Sequence, residues 1–435
     1  MKNFSLNLLK KVLKRIAKMI IWRYDPKIVG VTGNVGKTST KYAIRTVLSH
    51  KFKVRASAKS FNNELGFPLA IIGDYKKTGG FIFWCRVIFF GLFQLILKNK
   101  NYPEILILEY GVDRPGDMDY LLDIARPEVG VVTAVGDIPV HVEYFTGKEA
   151  LAREKAKLVQ QLPSTGFAIL NADDYTVYEM KEQTRAQVVT VGFSKEADMK
   201  ITTFETIFGE NVAGVTFKLS YGGSFIPVRL ENVLGKAQSY AASFAAAVGL
   251  VFGVNLVTIS EALTDLHSPP GRMKVLKGVK NTWIIDDSYN ASPLAVESAL
   301  ETLKGLDAER KIAVLGDMLE IGKYTAEAHE KVGDIAEDSL DVLITVGMRG
   351  KFISESAKNS GMNKDNVHHF DKVQKAALFL QNELKEGDAA LVKASQAVRL
   401  EKVVKEVMAE PDRAKELLVR QNKSWLQKKG SYESR

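Results

Sequence analysis

Cysteine is nearly absent from this sequence: Cys85 is the only one in 435 residues. A single thiol excludes an intramolecular disulfide and a cysteine-based metal site, and it fits a reducing cytosol. The sequence has no internal repeats and no interleaving of basic and aromatic residues, so no such pattern argues for nucleic acid. The N-terminal stretch carries charge throughout and is not followed by a separate apolar core with a small-residue cleavage site, which argues against a secretory signal. Residues 81–97 are the most apolar run. Their length lies at the low edge of the roughly 17–25 residues that a membrane span needs.

The rest of the composition is that of a globular protein, 46% hydrophobic and 26% charged, with length enough for two or three domains. The formal charge is +9. Much of it sits in the N-terminal segment and the last 25 residues, and such an excess by itself suits anionic partners such as a membrane surface, a nucleotide or nucleic acid.

The most informative stretch is Gly30-Val-Thr-Gly33-Asn34-Val-Gly36-Lys37-Thr38-Ser39-Thr40. It follows an apolar run (Ile28, Val29) and precedes a helical pattern over 41–49. A strand, a glycine-rich turn and a helix N-terminus make a phosphate cradle. Backbone amides and the helix dipole face the anion, Lys37 adds a point charge, and the Thr38 hydroxyl suits Mg²⁺. The strict P-loop spacing wants glycine where Val31 stands.

Residues 4–22 read as a basic amphipathic helix, with Leu9, Val12, Leu13, Ile16 and Ile20 on one side and Lys10, Lys11, Lys14, Arg15 and Lys18 on the other. Such a helix either lies on an anionic membrane or packs on its own domain with a solvated basic face. Residues 81–97 read as a helix lying in a membrane interface, or buried against the body or a partner, with Arg86 and Gln94 marking a wetter side. The polar stretch Ser60-Phe-Asn62-Asn63-Glu64-Leu-Gly66-Phe-Pro68 is either a ligand-reading loop or an ordinary turn. Ile105–Leu108 is a buried-type strand ending at Glu109, a carboxylate placed either to meet phosphates and Mg²⁺ or simply at an exposed strand end. A strand over 129–134 leads to His141. The helix after it, with Glu149, Arg153, Glu154, Lys155 and Lys157, reads by composition as a solvated charged helix.

Further strand-like pieces fill 188–230, and a small-residue helix spans 234–254. Pro269-Pro270-Gly271 marks a domain boundary. Strands at 283–286, 312–317, 341–346 and 389–392 then alternate with helices, and a charged tail starting at Pro411 reads as a peripheral solvated helix. The fold class is α/β: a P-loop central ATPase domain with a mostly parallel sheet, then a Rossmann-like α/β domain. The expected boundaries are 1–27, 28–268 with an apolar insertion at 79–98, 269–410, and 411–435.

Over residues 28–408 these motifs, in this order, resemble the Mur ligases, the ATP-dependent amide-forming enzymes of peptidoglycan synthesis. The chain is most similar to their D-alanyl-D-alanine-adding branch. The glycines at 30, 33 and 36 follow the family's own loop spacing. Asn62-Asn63-Glu64-Leu-Gly66-Phe-Pro68, Asp286-Asp287-Ser288-Tyr289-Asn290-Ala291-Ser292-Pro293 and Val314-Leu-Gly-Asp317-Met318-Leu-Glu320-Ile-Gly322 resemble signatures of that branch.

The resemblance implies roles. Gly33, Asn34, Gly36, Lys37, Thr38 and Ser39 hold ATP phosphates, while Thr38 and Glu109 share a Mg²⁺ with them. His141 serves a second Mg²⁺ with Glu109, and Lys155, fourteen residues later, becomes a carbamate. Asp287 and Asn290 hold the ribose and adenine, and Arg272 sits at the hinge. Asn62 and Asn63 bind substrate, Asp317, Glu320 and His329 face the acceptor dipeptide, and Lys393 and Ser395 reach the incoming substrate.

The implied reaction joins a muramoyl-tripeptide donor to D-alanyl-D-alanine through an acyl phosphate. It needs no side-chain nucleophile, so the absence of a Ser/His/Asp or Cys/His arrangement is no obstacle. The implied setting is the cytoplasm, at the inner face of the membrane if residues 4–22 and 81–97 dock there.

Two departures stand out. Only 27 residues precede Ile28, where the family carries an N-terminal domain that grips the UDP-sugar of its donor, so a UDP-linked and a lipid-linked donor both stay open. Gly235-Lys-Ala-Gln238 replaces the family's Gly-x-His-Asn, which leaves Gln238 to take the adenine contact. Another amide ligase of the superfamily and a catalytically silent membrane-attached scaffold are the rival readings.

Overall fold

The computed structural model describes residues 2–57, 61–75, 78–209, 212–428 and 430–432. Ser60 of the polar stretch lies outside them, as do Lys429 and residues 433–435 of the tail.

The chain opens with helix α1 (Lys2–Tyr24), then strand β1 (Lys27–Thr32), α2 (Lys37–Ser49), β2 (Val54–Ala56), α3 (Gly66–Ile72) and α4 (Phe81–Ile96). There follow β3 (Ile105–Glu109), α5 (Asp117–Ile124), β4 (Val129–Val132), α6 (Lys148–Gln160), β5 (Phe167–Asn171) and the short α7 (Tyr175–Tyr178). Strands β6 (Gln187–Gly192), β7 (Met199–Phe208), β8 (Ala213–Tyr221) and β9 (Ser224–Glu231) precede α8 (Lys236–Val251) and α9 (Leu256–Leu263). All nine strands form one sheet in the order β2-β3-β1-β4-β5-β6-β7-β8-β9. Neighbours run parallel as far as β7, and β8 and β9 return antiparallel. The central strands β1, β3 and β4 are apolar on both sides because helices cover both faces. One face packs on α2, α8 and α9, the other on α1, α3, α5 and α6.

A second sheet follows. It contains β10 (Lys274–Lys277), β11 (Trp283–Asp286), β12 (Lys311–Gly316), β13 (Val342–Val346), β14 (Val367–Phe370) and β15 (Ala389–Lys393), in the order β10-β11-β15-β12-β13-β14. Only β10 is antiparallel. Helices α10 (Pro293–Lys304), α11 (Thr325–Glu337) and α12 (Gly350–Ser360) cover one face, and α13 (Val373–Glu383) and α14 (Glu401–Val407) the other. Ser292 caps α10, accepting from Ala295 N, with Pro293 in the first turn, where its missing N–H costs nothing.

One open alternative of the sequence is resolved here and two expectations change. Helix α1 packs on its own sheet: Leu13, Ile16, Ala17 and Ile20 are buried, and burying each of the three larger ones contributes about 1.5–3 kcal/mol. Part of its basic face is paired, Lys14 and Lys18 with Asp123 and Lys10 with Glu64. Gln94 is not on a wet side of α4. It is buried and donates to Ile72 O at 2.9 Å, because Val87, Gly91 and Gln94 make the inward stripe of the helix. The tail is not a solvated helix. It makes two single-turn helices, α15 (Ala414–Leu417) and α16 (Lys423–Leu426), and buries Ala414, Leu418 and Arg420.

Candidate active site between the two sheets

The loop between β1 and α2 has the backbone that its glycines permit. Gly33 and Gly36 sit at φ +138° and +87°, where residues with a side chain are strained. A Cβ on Gly33 would also come within 2.1 Å of Thr133 Oγ1, which itself donates to Val35 O at 2.6 Å. Asn34 ties the loop to the segment after β4, donating from N to Ala134 O and from Nδ2 to Val135 O. Lys37 Nζ folds back onto Gly33 O (2.7 Å) and Asn34 O (3.3 Å), and burial lowers its pKa.

Parallel pairing sets Val31 beside Glu109, so the carboxylate emerges next to this loop. Glu109 is fully buried and paired with Lys41 at 2.9 Å. Burial acts to raise its pKa, but Lys41 overrides this and holds the carboxylate below its usual range. Lys155 is buried beneath the loop, 3.3 Å from Gly33 O, and burial pushes its pKa well below the usual lysine range. The solvated-helix reading of its surroundings is therefore wrong at this position. Glu154 is buried too and accepts from Gly116 N and Met118 N.

His141, at φ +68°, donates its N–H to Glu320 O (2.8 Å) across to the second sheet. Its imidazole lies 3.4 Å from Asp113 Oδ1 and 3.4 Å from Glu320 Oε2, and burial lowers its pKa to about 4, so it is neutral at pH 7.

The second half closes on the loop. Arg272 Nη2 donates to Thr38 Oγ1 at 2.9 Å, and its guanidinium stacks on Tyr289, 4.1 Å from the ring centre. Lys393 pairs with Asp287 and donates to Asn290 O at 3.0 Å, while Asp287 also accepts from Met273 N at 3.1 Å. Burial raises the pKa of Asp287 against the pull of Lys393. Gln238 Nε2 donates to Ser268 Oγ at 3.1 Å, at the junction between the halves.

A cavity of about 420 Å³ lies between the sheets. Asn34, Gly36, Lys37, Thr38, Ser39, Glu109 and Asn62 line it from the first half, with His141 and Gln238. Arg272, Asp287, Asn290, Glu320 and Lys393 line it from the second. A second cavity of about 300 Å³ shares Asn62, Asp113, His141 and Glu320 with it and adds Asn63, Glu64 and Tyr120. Asn63 Oδ1 meanwhile accepts from Gly66 N at 2.9 Å and starts α3. A third cavity of about 440 Å³ holds Glu320, Ser395 and tail residues.

Asp317 and His329 line none of these. Asp317 Oδ1 accepts from Arg349 N and Gly350 N at the start of α12. His329 accepts from Met318 N at Nε2 (2.9 Å), with Nδ1 2.6 Å from Thr325 O. His329 thereby holds the β12–α11 turn, while Asp317, which also accepts from the Tyr432 hydroxyl, ties that turn to the start of α12 and to the tail.

Lys41 went unrecognised in the sequence. A signal existed: it stands one helical turn after Lys37, and a carboxylate at the end of an apolar strand requires a counter-ion. Asp113 and Tyr289 were missed as well.

Residues 90–249 match the Mur ligase middle domain, and residues 271–396 match the Mur ligase, glutamate ligase domain. The UDP-N-acetylmuramoyl-tripeptide–D-alanyl-D-alanine ligase of Mycobacterium bovis is 33% identical over 408 residues, 88% of this chain and 73% of that protein. The chain belongs to the Mur ligase family. The Bacillus subtilis ligase of the same name is 28% identical over 401 residues, covering 92% of this Mur ligase and 79% of the relative. Among solved structures, MurF ligase from Thermotoga maritima in complex with ADP superposes with a TM-score of 0.74 at 25% identity, over 91% of this chain and 83% of that one. A pseudomurein peptide ligase type C from Methanothermus fervidus shares the fold at TM-score 0.61 and 18% identity, over 88% and 79% of the two chains.

Proposed function

We propose that this Mur ligase adds D-alanyl-D-alanine to a muramoyl-tripeptide donor at the expense of ATP, forming ADP and phosphate. The observation that carries the reading is the single cavity to which the phosphate loop, Glu109, His141, Arg272, Asp287 and Lys393 all contribute. The names of the curated relatives and the ADP complex of the Thermotoga maritima enzyme support it.

In this reading the loop amides from Asn34 to Ser39 and Lys37 hold the ATP phosphates, with Arg272 closing over them. Asp287, Asn290 and Gln238 take the ribose and adenine. The donor carboxylate attacks the γ-phosphorus, the bond to the β-phosphate oxygen breaks, and an acyl phosphate and ADP result. The neutral amine of the acceptor then attacks the acyl carbon. Phosphate leaves with the electron pair, and the amine gives up a proton. Lys37 offsets charge on the moving phosphoryl group throughout. Asn62, Asn63, Glu320 and Ser395 border the donor and acceptor sides, while Asp317 and His329 position the Met318–Glu320 turn.

Two Mg²⁺ belong to this reading, held by Thr38, Glu109, His141 and a carbamylated Lys155. Glu109 Oε2 and His141 Nδ1 are buried without a hydrogen-bond partner among the described residues, which fits such a role. Among the described residues no three His, Cys, Asp or Glu side chains converge on one ion, so an added anion at Lys155 has a use. Burial lowers the pKa of that amine and so favours its neutral form, the one that bonds to CO₂ and loses a proton. Bound Mg²⁺ would supply charge neutralisation and orientation of the phosphates. The protein works in the cytoplasm, with residues 4–22 and 81–97 toward the membrane.

The test is phosphate release with ATP, Mg²⁺ and D-alanyl-D-alanine, supplying either the UDP-linked or the lipid-linked tripeptide. Release above the no-donor rate with one of them is expected; no increase with either refutes the reading.

A further inference from the structure

Helix α4 shows solvent a face that a globular protein ordinarily covers. Its fully buried stripe is Val87, Gly91 and Gln94, with Phe83, Trp84, Ile88 and Leu95 partly covered beside it, and its outer side carries Phe81, Ile82, Phe89, Phe93, Ile96 and Leu97. Phe81, Phe89 and Ile96 are 82%, 72% and 76% exposed. Helix α1 lies alongside in the same direction. A Cβ on Gly91 would meet Ile16, and Arg23 donates to Ile96 O while Tyr24 donates to Gln94 O. This brings Trp22, 85% exposed, to the end of α4 that carries Ile96 and Leu97, with Met19 one turn behind. Scattered exposed apolar residues need no explanation, but a contiguous face of this size marks a binding surface.

The charge around this face says what binds. Segments 1–24 and 75–103 hold twelve lysines and arginines and no aspartate or glutamate, more positive charge than the whole chain's net +9. Lys14, Lys18 and Lys10 are used by the protein itself. Lys11, Arg15, Arg86, Lys98 and Lys100 are exposed, and none is in an ion pair among the described residues. A two-fold contact with a second copy would set these cations against themselves. An anionic surface with an apolar interior suits both features. Crossing is excluded for α4, whose 16 residues rise only about 24 Å, short of the roughly 30 Å of a bilayer core. Among the described residues no helix is long and apolar enough to span.

We propose that the α1/α4 face is a monotopic docking surface for an anionic lipid bilayer, with the aromatic and aliphatic side chains of α4 entering the acyl boundary. The inference deepens the ligase reading by placing its donor cavity at the membrane. Lys10 pairs with Glu64 and Lys14 lies over the ring of Tyr120, and both partners line the cavity that shares His141 and Asn62 with the main one. A donor anchored in the same leaflet would enter from that side.

Vesicle pelleting with the full chain tests the proposal, without ATP or substrate, so that the result is independent of ligase activity. Vesicles containing phosphatidylglycerol are expected to retain the protein at least tenfold better than phosphatidylcholine vesicles, on the order expected for several surface cations. The triple variant Phe89→Ser, Phe93→Ser, Ile96→Ser alters only exposed or half-covered side chains, and it is expected to lose most of that binding. A polarity-sensitive thiol probe on Cys85, exposed on α4 and the only cysteine, is expected to shift to the blue with anionic vesicles alone. No pelleting with phosphatidylglycerol vesicles, or equal pelleting by the triple variant, overturns the proposal. A dimer that the triple variant dissolves, with no vesicle binding by the parent, also overturns it and gives the face to a second copy.

Discussion

Arg272 Nη2 donates to Thr38 Oγ1 at 2.9 Å, so a side chain that leads into the second sheet is bonded to the phosphate loop of the first. The same guanidinium stacks on Tyr289, which fixes its approach. Replacing Arg272 by Ala removes both contacts and a charge over the phosphates. The expected result is a fall in kcat/KM for ATP of roughly 10–100-fold, with lysine restoring only part, because an ammonium neither stacks nor forks. Steady-state phosphate release decides it, and an unchanged kcat/KM in Arg272→Ala would remove Arg272 from the site.

Lys41 and Glu109 form a fully buried ion pair. Removing one partner strands the other charge in the core, and such losses cost about 3–5 kcal/mol. Lys41→Met is expected to lower the melting temperature by several degrees and to abolish turnover. The double variant Lys41→Met, Glu109→Gln regains most of the stability and none of the activity. If the two single losses of stability simply add in the double variant, the residues are not coupled.

Lys155 is buried with its pKa lowered by burial, so folding releases its proton over the range between the folded value and the free lysine value near 10.5. In that window the unfolded chain binds more protons, and stability rises with pH. The stability associated with the group is complete above the unfolded pKa and is lost as pH falls through the folded one. Lys155→Met is therefore expected to flatten the rise of melting temperature with pH while eliminating turnover. Comparing melting curves across the alkaline range checks the slope. Carbon-13 NMR with labelled bicarbonate checks for a carbamate signal present in the parent and missing from the variant. A parent without that signal, active in bicarbonate-free buffer, contradicts the modification.

The phosphate loop was legible because its chemistry is local: three glycines, a lysine and a hydroxyl within one turn carry both the backbone shape and the charge. The sheets were legible for a similar reason, since runs such as Ile105–Leu108 and Val129–Val132 are apolar throughout, as doubly covered parallel strands must be. Strand β14 was not, because Val367-His-His-Phe370 is an edge strand with a half-buried polar face. Gln94 misled because a polar residue in an apolar helix looks like a solvent marker, whereas here it bonds a buried carbonyl. Asp317 and His329 carry residue types suited to catalysis, but His329 bonds backbone atoms of the turn it holds, and Asp317 bonds the backbone at the start of α12 and the Tyr432 hydroxyl. Lys41 stands one helical turn after Lys37, which is a local signal, but pairing it with Glu109 required knowledge of which strand lies opposite α2.

The tail makes the last test. Arg420 donates to Ser288 O and Glu401, and also bonds Tyr289 O, while Arg399 donates to Trp425 O and Lys428 O and pairs with Glu401. Residues 411–432 thus brace the turn whose Tyr289 ring carries Arg272. A peripheral helix would be dispensable, and these contacts predict that this segment is not. Ending the chain after Glu410 exposes Arg399, Glu401 and the apolar ground under Leu418, and is expected to lower the melting temperature by several degrees. The milder Arg420→Ala leaves the core covered but frees the Ser288–Tyr289 carbonyls. It is expected to raise KM for ATP by roughly threefold to tenfold with little change in kcat, since ground-state holding of the nucleotide is what loosens. An Arg420→Ala enzyme with unaltered KM and a lowered melting temperature would confine the tail to stability.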